Sequence, residues 1–493
     1  MDIRNNRGVV MISAYAAVVV LMMLGSVFFW RAYNENNLAL RYRLSTEALS
    51  IAEAGIERAI YNLQNDFANY PTPSWLDGFI DNIPCTPPGP LYTDIAFGNG
   101  SYSVGLTNVG GRIDHMRVLS TGTVEGIMRN IEVYIKMEEV NIWNNAIFAG
   151  IGSPAGVLIN GNVDIRGSIH LLGDGLTFAD IAMDMSGSGH IGNNYDGIPA
   201  SFLNRLPALE TTIVGGEVVE TMNAKLRVKR GKVGLSGSAQ VGDEDEPGDV
   251  YKETVDGVYV TDGYAGNQGD TNIFSDNGTR NRYDLGDRLE LPSLSDPFLG
   301  YDSYMEYLKA NALVIDQPVD LAVLANIKPT ASFSFTDPGP IPKGSISMDG
   351  SGNLFIDGIV YVDGGDVNMS KDKNFKTIEY VGRGSLVVTG DVSMNVNLLT
   401  AGAYPANIIG VMTPGEIDFG GANYDVMGIF YGETQVTSTM QTDVAGTFVS
   451  NSFDMGQQVP KIFQVPEIVR NLPPGTIGSD SIWLSVIVAW REV

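Results

Sequence analysis

Residues 8 to 30, from Gly8 through Trp30, carry no charged side chain and follow a short basic segment, MDIRNNR. The apolar run VVMISAYAAVVVLMMLGSVFFW, as a helix rising about 1.5 Å per residue, is long enough to cross a hydrocarbon core of roughly 30 Å. A cleavable secretory signal has a shorter apolar core of about 7 to 15 residues and a small-residue cleavage site after it. Here the core runs straight on into helix-compatible sequence. Arg4 and Arg7 precede the run. The positive-inside bias therefore places the start of the chain in the cytoplasm and everything after Arg31 outside, as a single pass through the inner (cytoplasmic) membrane.

Beyond the apolar run, Leu44, Ala48, Ile51, Gly55, Ala59 and Leu63 recur every three to four residues, and Ala52, Ile56 and Ile60 widen the stripe. This spacing predicts one helix over residues 9–70 with a face that packs. Glu47, Glu53, Glu57 and Arg58 flank the stripe and read as a solvated face, since Glu53 and Arg58 are not an i, i+4 pair. PTP at 71–73 and PCTPPGP at 84–90 cannot continue a helix, so 71–96 reads as a proline-rich linker. It holds Cys85, the single cysteine, which excludes an intrachain disulfide. From 97 to 140 three short alternating runs, GNGSYSVGLTNV, MRVLSTGTVEG and MRNIEVYIKM, predict an antiparallel sheet. Ile131, Val133, Ile135 and Met137 alternate with Glu132, Tyr134 and Lys136, which suits a sheet covered on one face by the preceding helix.

A six-residue glycine beat marks the rest. Gly161, Gly167 and Gly173 bracket Val163, Ile165, Ile169 and Leu171, after Val157 and Ile159; Gly352, Gly358 and Gly364 bracket Leu354, Ile356, Val360 and Val362; Gly384 and Gly390 bracket Leu386 and Val388, with Val392 and Met394 beyond. Strands of three residues separated by glycines at φ > 0 are how a right-handed parallel β-helix-like solenoid would coil its rungs. Antiparallel hairpins are the competing reading, with longer strands and two-residue turns. The expected layout is a first solenoid segment over 141–198, an insertion or lateral subdomain over 199–345 with one helix at 298–313, and a second solenoid segment with a closing strand, SIWLSVIVAWREV, over 346–493. The fold class is thus mainly β with one long N-terminal helix on an antiparallel sheet, followed by the interrupted solenoid.

The chemistry-bearing residues are sparse. His115, His170 and His190 are scattered, and no HExxH, P-loop, GxSxG or Cys/His grouping is present. Asp243, Asp245 and Asp249, with Glu244 and Glu246, could offer hard oxygens to Ca²⁺ but lack EF-hand spacing, so a solvated acidic loop is the competing reading. Acidic residues outnumber basic ones 57 to 31, a net charge of −26. That balance argues against nucleic acid or an anionic membrane surface as the partner of the exported region.

Arg7-Gly8 directly before an apolar helix resembles a class III prepilin leader, and STEALSIAEAGIERAIYNL at 45–63 is similar to the start of PilX-type minor pilins of type IV pili. Trp490-Arg491-Glu492 also resembles the ending of large PilX-like proteins. The resemblance implies a leader at 1–8, cleavage by prepilin peptidase between Gly8 and Val9, and methylation of the new N-terminal amine. The fifth mature residue would be Ser13, where major pilins keep a Glu whose carboxylate can neutralise a neighbouring subunit's amine. Subunits lacking that Glu are, by the same resemblance, found at the filament tip. Other pilins are the implied partners, through the N-terminal helix, in a pilus or at the cell surface. The competing functional readings are a membrane-anchored β-helix enzyme acting on polysaccharide and a generic anchored scaffold; no catalytic set is assigned and no cofactor beyond the candidate Ca²⁺.

Overall fold

The computed structural model describes residues 6–68, 75, 79–80, 83–84, 88–110, 114–151, 159–421, 423–438, 440–456 and 460–493. Arg4, the PTP segment, Cys85 and Val157 lie outside the described residues. The chain forms two compact units, one running to Val140 and resuming at Ser481–Val493, the other spanning Asn141–Asp480.

In the first unit, helix α1 spans Asn6–Ala68, 63 residues, or roughly 95 Å at about 1.5 Å per residue. Its second half lies on a five-stranded antiparallel sheet whose order is Gly89–Phe97, Gly100–Asn108, His115–Val124, Ile127–Val140, Ile482–Glu492. The expected stripe is the buried one: Ala48, Ala52, Ala59 and Leu63 are fully covered and Ile51 and Ile56 nearly so. They meet Ile131, Val133, Ile135 and Met137, the alternate residues of the fourth strand. Small residues set the helix-to-sheet distance. A Cβ at Gly122 would lie 2.6 Å from the backbone N of Ala52, so glycine there lets α1 sit directly on the strand. Trp75 folds back onto the helix end, its indole Nε1 donating to Leu63 O at 3.0 Å and its ring edge-on to Phe67.

Two expectations fail in this unit. Residues 89–96 are not linker, because Gly89–Phe97 is a full strand of the sheet. The run at 482–492 does not close the solenoid; it is the fifth strand here, antiparallel to Ile127–Val140 with Ile482 opposite Val140 and Glu492 opposite Ile131. The second unit is therefore inserted in the chain between two neighbouring strands of the first.

The second unit is a stack of parallel strands in three ladders. Tyr424 pairs with Thr442, Ile417 with Val436 and Val444 with Ile462, each a short step further along the chain. Each such step completes one coil of three strands, burying apolar side chains between them while each backbone pairs with the coil above. Phe419, Phe430, Phe448 and Phe453 stack through this core at centroid distances of 5.1 to 6.3 Å. At one end Gly344–Asp349 pairs antiparallel with Asn353–Val362, and Ser332–Thr336 pairs antiparallel with Gly344–Asp349 in turn.

The chain fills this stack from the middle. Along one ladder the order is Gly257–Val260, Lys225–Val228, Ile169–Asp174, Ile147–Ile151, Thr442–Ser450, Tyr424–Gly432, Ile408–Thr413, Arg383–Val388 and Asn353–Val362. The first coils thus run outward from Ile147–Ile151, and the later ones begin at the far end and return until Phe448 pairs with Ile147. Both ends of the unit are tied at that middle, with Asn141 Nδ2 donating to Ser479 O at 3.1 Å and Asp480 O at 3.2 Å.

Several solenoid expectations are corrected. Residues 199–345 are not one insertion: Lys225–Val228, Lys232–Leu235, Gln240–Val241, Gly257–Val260 and Tyr264–Ala265 are coil strands, and Leu313–Ile315 pairs parallel with Val360–Val362. The helix expected at 298–313 covers only Tyr304–Ala310, because Leu299 and Gly300 turn the chain at φ 47° and 87°. Strands reach nine residues in Tyr424–Gly432 and Thr442–Ser450, not three. Stacked strands continue through Ile408–Thr413, Tyr424–Gly432 and Thr442–Ser450 to Lys461–Phe463. Of the beat glycines, 161, 167, 173, 352, 358 and 364 have positive φ. Gly384 and Gly390 do not; there the missing Cβ is needed for space, since a Cβ at Gly390 would lie 2.6 Å from Gly365 O.

Candidate assembly surface

The exposed surface of α1 is continuous from Val9 to Trp30: Met11, Ile12, Tyr15, Met22, Phe29 and Trp30 are all more than two-thirds uncovered. By length and composition α1 is one helix able to cross a membrane. Such a run of apolar side chains is stable only against hydrocarbon or other apolar helices. Arg31 and Glu35 close it with an i, i+4 pair, Arg31 Nε to Glu35 Oε1 at 2.9 Å, and beyond them the same helix becomes the sheet-packing half.

Gly8 and Val9 lie within the first turns of α1, and the Ser13 hydroxyl donates to Val9 O one turn back, at 2.9 Å. A hydroxyl so engaged satisfies itself inside its own helix and carries no charge. The predicted solvated face holds for Glu53 and Glu57, which are exposed. Arg58 is more specific, its Nη1 donating to the Tyr102 hydroxyl at 2.9 Å with its guanidinium 4.8 Å from the Tyr92 ring centre.

On the sheet's other face Glu132 is almost wholly buried between two guanidiniums. Arg117 Nε donates to its Oε2 and Arg491 Nε to its Oε1, both at 2.8 Å. The Arg117 hydrogen bond, then that from Arg491, outweighs burial and holds the carboxyl below its ordinary range.

The three histidines are not brought together. His115 Nδ1 meets Asp114 at 2.7 Å, His170 is buried with Nε2 2.6 Å from the Tyr283 hydroxyl, and His190 lies 3.6 Å from Asp164. Burial keeps His170 well below the usual imidazole range, with Arg227 and Lys229 adding to the effect. Among the described residues no group of three or more His, Cys, Asp or Glu is placed to hold a metal ion. The candidate Ca²⁺ oxygens are engaged locally: Asp245 accepts from Glu253 N at 2.8 Å and the Thr254 hydroxyl at 3.0 Å, Asp243 from Gln240 Nε2 at 3.0 Å, and Asp249 from Val250 N at 2.9 Å. The carboxylates thus close their own loop.

Sequence reasoning missed a polar column on the outside of the stack. Asp425 pairs with Asp443, Asp443 with Lys461, Lys461 with Asp164 and Asp164 with His190. Burial, then the neighbouring Asp425, pushes the Asp443 carboxyl up to about 6. The alternation is visible in each strand, but nothing short-range shows that residue 461 stacks on residue 164.

No protein-family model matches the chain, and no curated protein matches it. Among solved structures it is similar to the competence-associated pilin ComZ from Thermus thermophilus, at 19% identity and a TM-score of 0.54, over 91% of this chain and 97% of that one. The likeness is one of fold, a pilin-like helix on a sheet accompanied by a β-rich unit.

Proposed function

We propose that this chain is a minor-pilin-like structural subunit of a type IV pilus or related filament, with a place at the tip or in priming assembly. The carrying observation is α1 itself: an apolar, uncovered first half continuous with a second half that packs on an antiparallel sheet, in a fold shared with a pilin across most of both chains. In this reading the first half anchors the subunit in the inner membrane and then packs among the helices of other pilins. Prepilin peptidase removes residues 1–8, Val9 becomes the methylated start, and the large second unit is presented outside as an adhesive or interaction surface. Ser13 supports an end position, because without a carboxylate there the subunit cannot neutralise the amine of a subunit beyond it. The role is structural and not enzymatic. A competence-associated role, like that of the pilin ComZ, is one setting; the net charge of −26 argues against direct contact with nucleic acid there.

The experiment is intact-mass and N-terminal analysis of the membrane form in cells that have the peptidase. Cleavage between Gly8 and Val9, abolished by a bulky replacement such as Gly8→Trp, is expected. Retention of Met1, or loss of everything before Arg31, would sink the pilin reading.

A further inference from the structure

The strand Ile482–Glu492 is an outer edge of the first unit's sheet: Ile127–Val140 pairs with one side of it, and among the described residues no strand pairs with the other. Free edges are templates for added strands, and proteins spoil them with proline, bulges and inward charges. The opposite edge, Gly89–Phe97, is spoiled in this way, with Pro90, two register shifts and Asp94 at φ 52°. The Ile482–Glu492 edge has 11 residues, no proline, and a single extra residue at Val488.

Its apolar side chains are also left uncovered. Ile487 is opposite Ile135 and Trp490 opposite Val133, so both lie on the helix-side face, where Ile135 and Val133 are fully buried. Yet Ile487 and Trp490 are each 51% exposed and Val488 59%. Helix α1 reaches this strand at its start: Gln64 Nε2 donates to Trp483 O at 2.8 Å, the Ser485 hydroxyl donates to Gln64 at 3.2 Å, and Phe67 packs on Trp483. Glu57 and Glu53 precede Gln64 by seven and eleven residues and so lie on the same helix stripe, and both are exposed.

We propose that this edge docks an extended segment of a different protein chain, which adds to the sheet as a sixth strand. The edge backbone from Leu484 onward supplies the pairing, and Ile487 and Trp490 form the apolar floor that takes alternate side chains of the incoming strand. Charge selects the partner's chemistry. The flanking helix stripe presents the exposed carboxylates of Glu53 and Glu57, so a second copy, which brings the same carboxylates, is disfavoured and a segment alternating apolar with lysine or arginine side chains is favoured.

The test uses the full chain in detergent with a twelve-residue alternating valine–lysine peptide. The control peptide has the same charge, with proline replacing two central valines. Hydrogen exchange is followed at the amides of 484–492. The expected result is at least about tenfold slower exchange there with the valine–lysine peptide and no change with the control. The Ile487→Lys and Trp490→Lys variants, checked for unchanged exchange protection in Ile131–Met137, should bind the peptide at least about tenfold more weakly. Equal protection by both peptides, or none by either, overturns the proposal. Protection of the same amides that rises with protein concentration alone, with dimers in sedimentation, overturns it in favour of a second copy.

Discussion

Arg491 stands directly opposite Glu132 in the strand register and donates to its Oε1 from both Nε, at 2.8 Å, and Nη2, at 2.5 Å. The pair crosslinks a strand reached before the second unit to one reached after it. Arg117 holds the other carboxylate oxygen.

Glu132→Gln removes the charge from both contacts while keeping the shape. Both arginines retain some access to water, so the loss should be that of hydrogen bonds to a charged group, about 1.5–3 kcal/mol. The pH dependence has a definite sign. Glu132 is held below its ordinary range, so its contribution is fully present above the unfolded carboxylate pKa of about 4.3 and is lost as pH falls through the lower folded value. Thermal unfolding of the full chain in detergent between pH 7 and 3 should show a shallower acid decline in the variant. An unchanged decline would mean that the pairing contributes nothing.

Asp443 acts in the opposite direction. Its folded pKa of about 6 lies above the ordinary aspartate value, so the folded state binds a proton more readily than the unfolded chain. Its ionisation therefore lowers stability as pH rises from about 4 to 6. Asp443→Asn should stabilise the stack at pH 7 by on the order of 1 kcal/mol and flatten that range of the profile. Chemical unfolding at pH 4 and pH 7 checks this, and equal or lower stability of the variant at pH 7 would refute it.

Gly364 and Gly390 separate two uses of glycine. Gly364 has φ 101° with nothing near its absent Cβ, whereas Gly390 has ordinary φ but faces Gly365 O. Gly364→Ala should cost about 1–2 kcal/mol from backbone strain alone, and Gly390→Ala more, because backbone must move apart. Denaturant midpoints of the two variants decide it; the reverse ranking would contradict the crowding seen at Gly390.

Much of the first unit is legible in the sequence because its signals are short-range. The stripe from Leu44 to Leu63 and the alternation from Ile131 to Met137 each declare a buried face within one element, and the two faces meet. The glycine beat likewise announces stacked short strands. Pairing across long separations is what local patterns do not carry. Ile482 finds Val140, and Phe448 finds Ile147, through the order in which the chain fills the stack, which no local period encodes. Residues 225–265 read as an insertion because their coils are joined by longer excursions that break the beat. At Gly390 the residue type is informative while its reason is not, since crowding from the next coil exists only after stacking. The edge at Ile487 and Trp490 is hidden similarly, because a closing strand read from its own alternation does not show which sheet it joins or that it has one unpaired side.

Filament position is tested most directly by immunogold labelling of sheared filaments with antibodies raised against residues 141–480. Label at one end only, at low copy number, with no Ser13→Glu change needed for assembly, is the expected result. Label spread evenly along the shaft, at a stoichiometry near that of the main subunit, would contradict an end position.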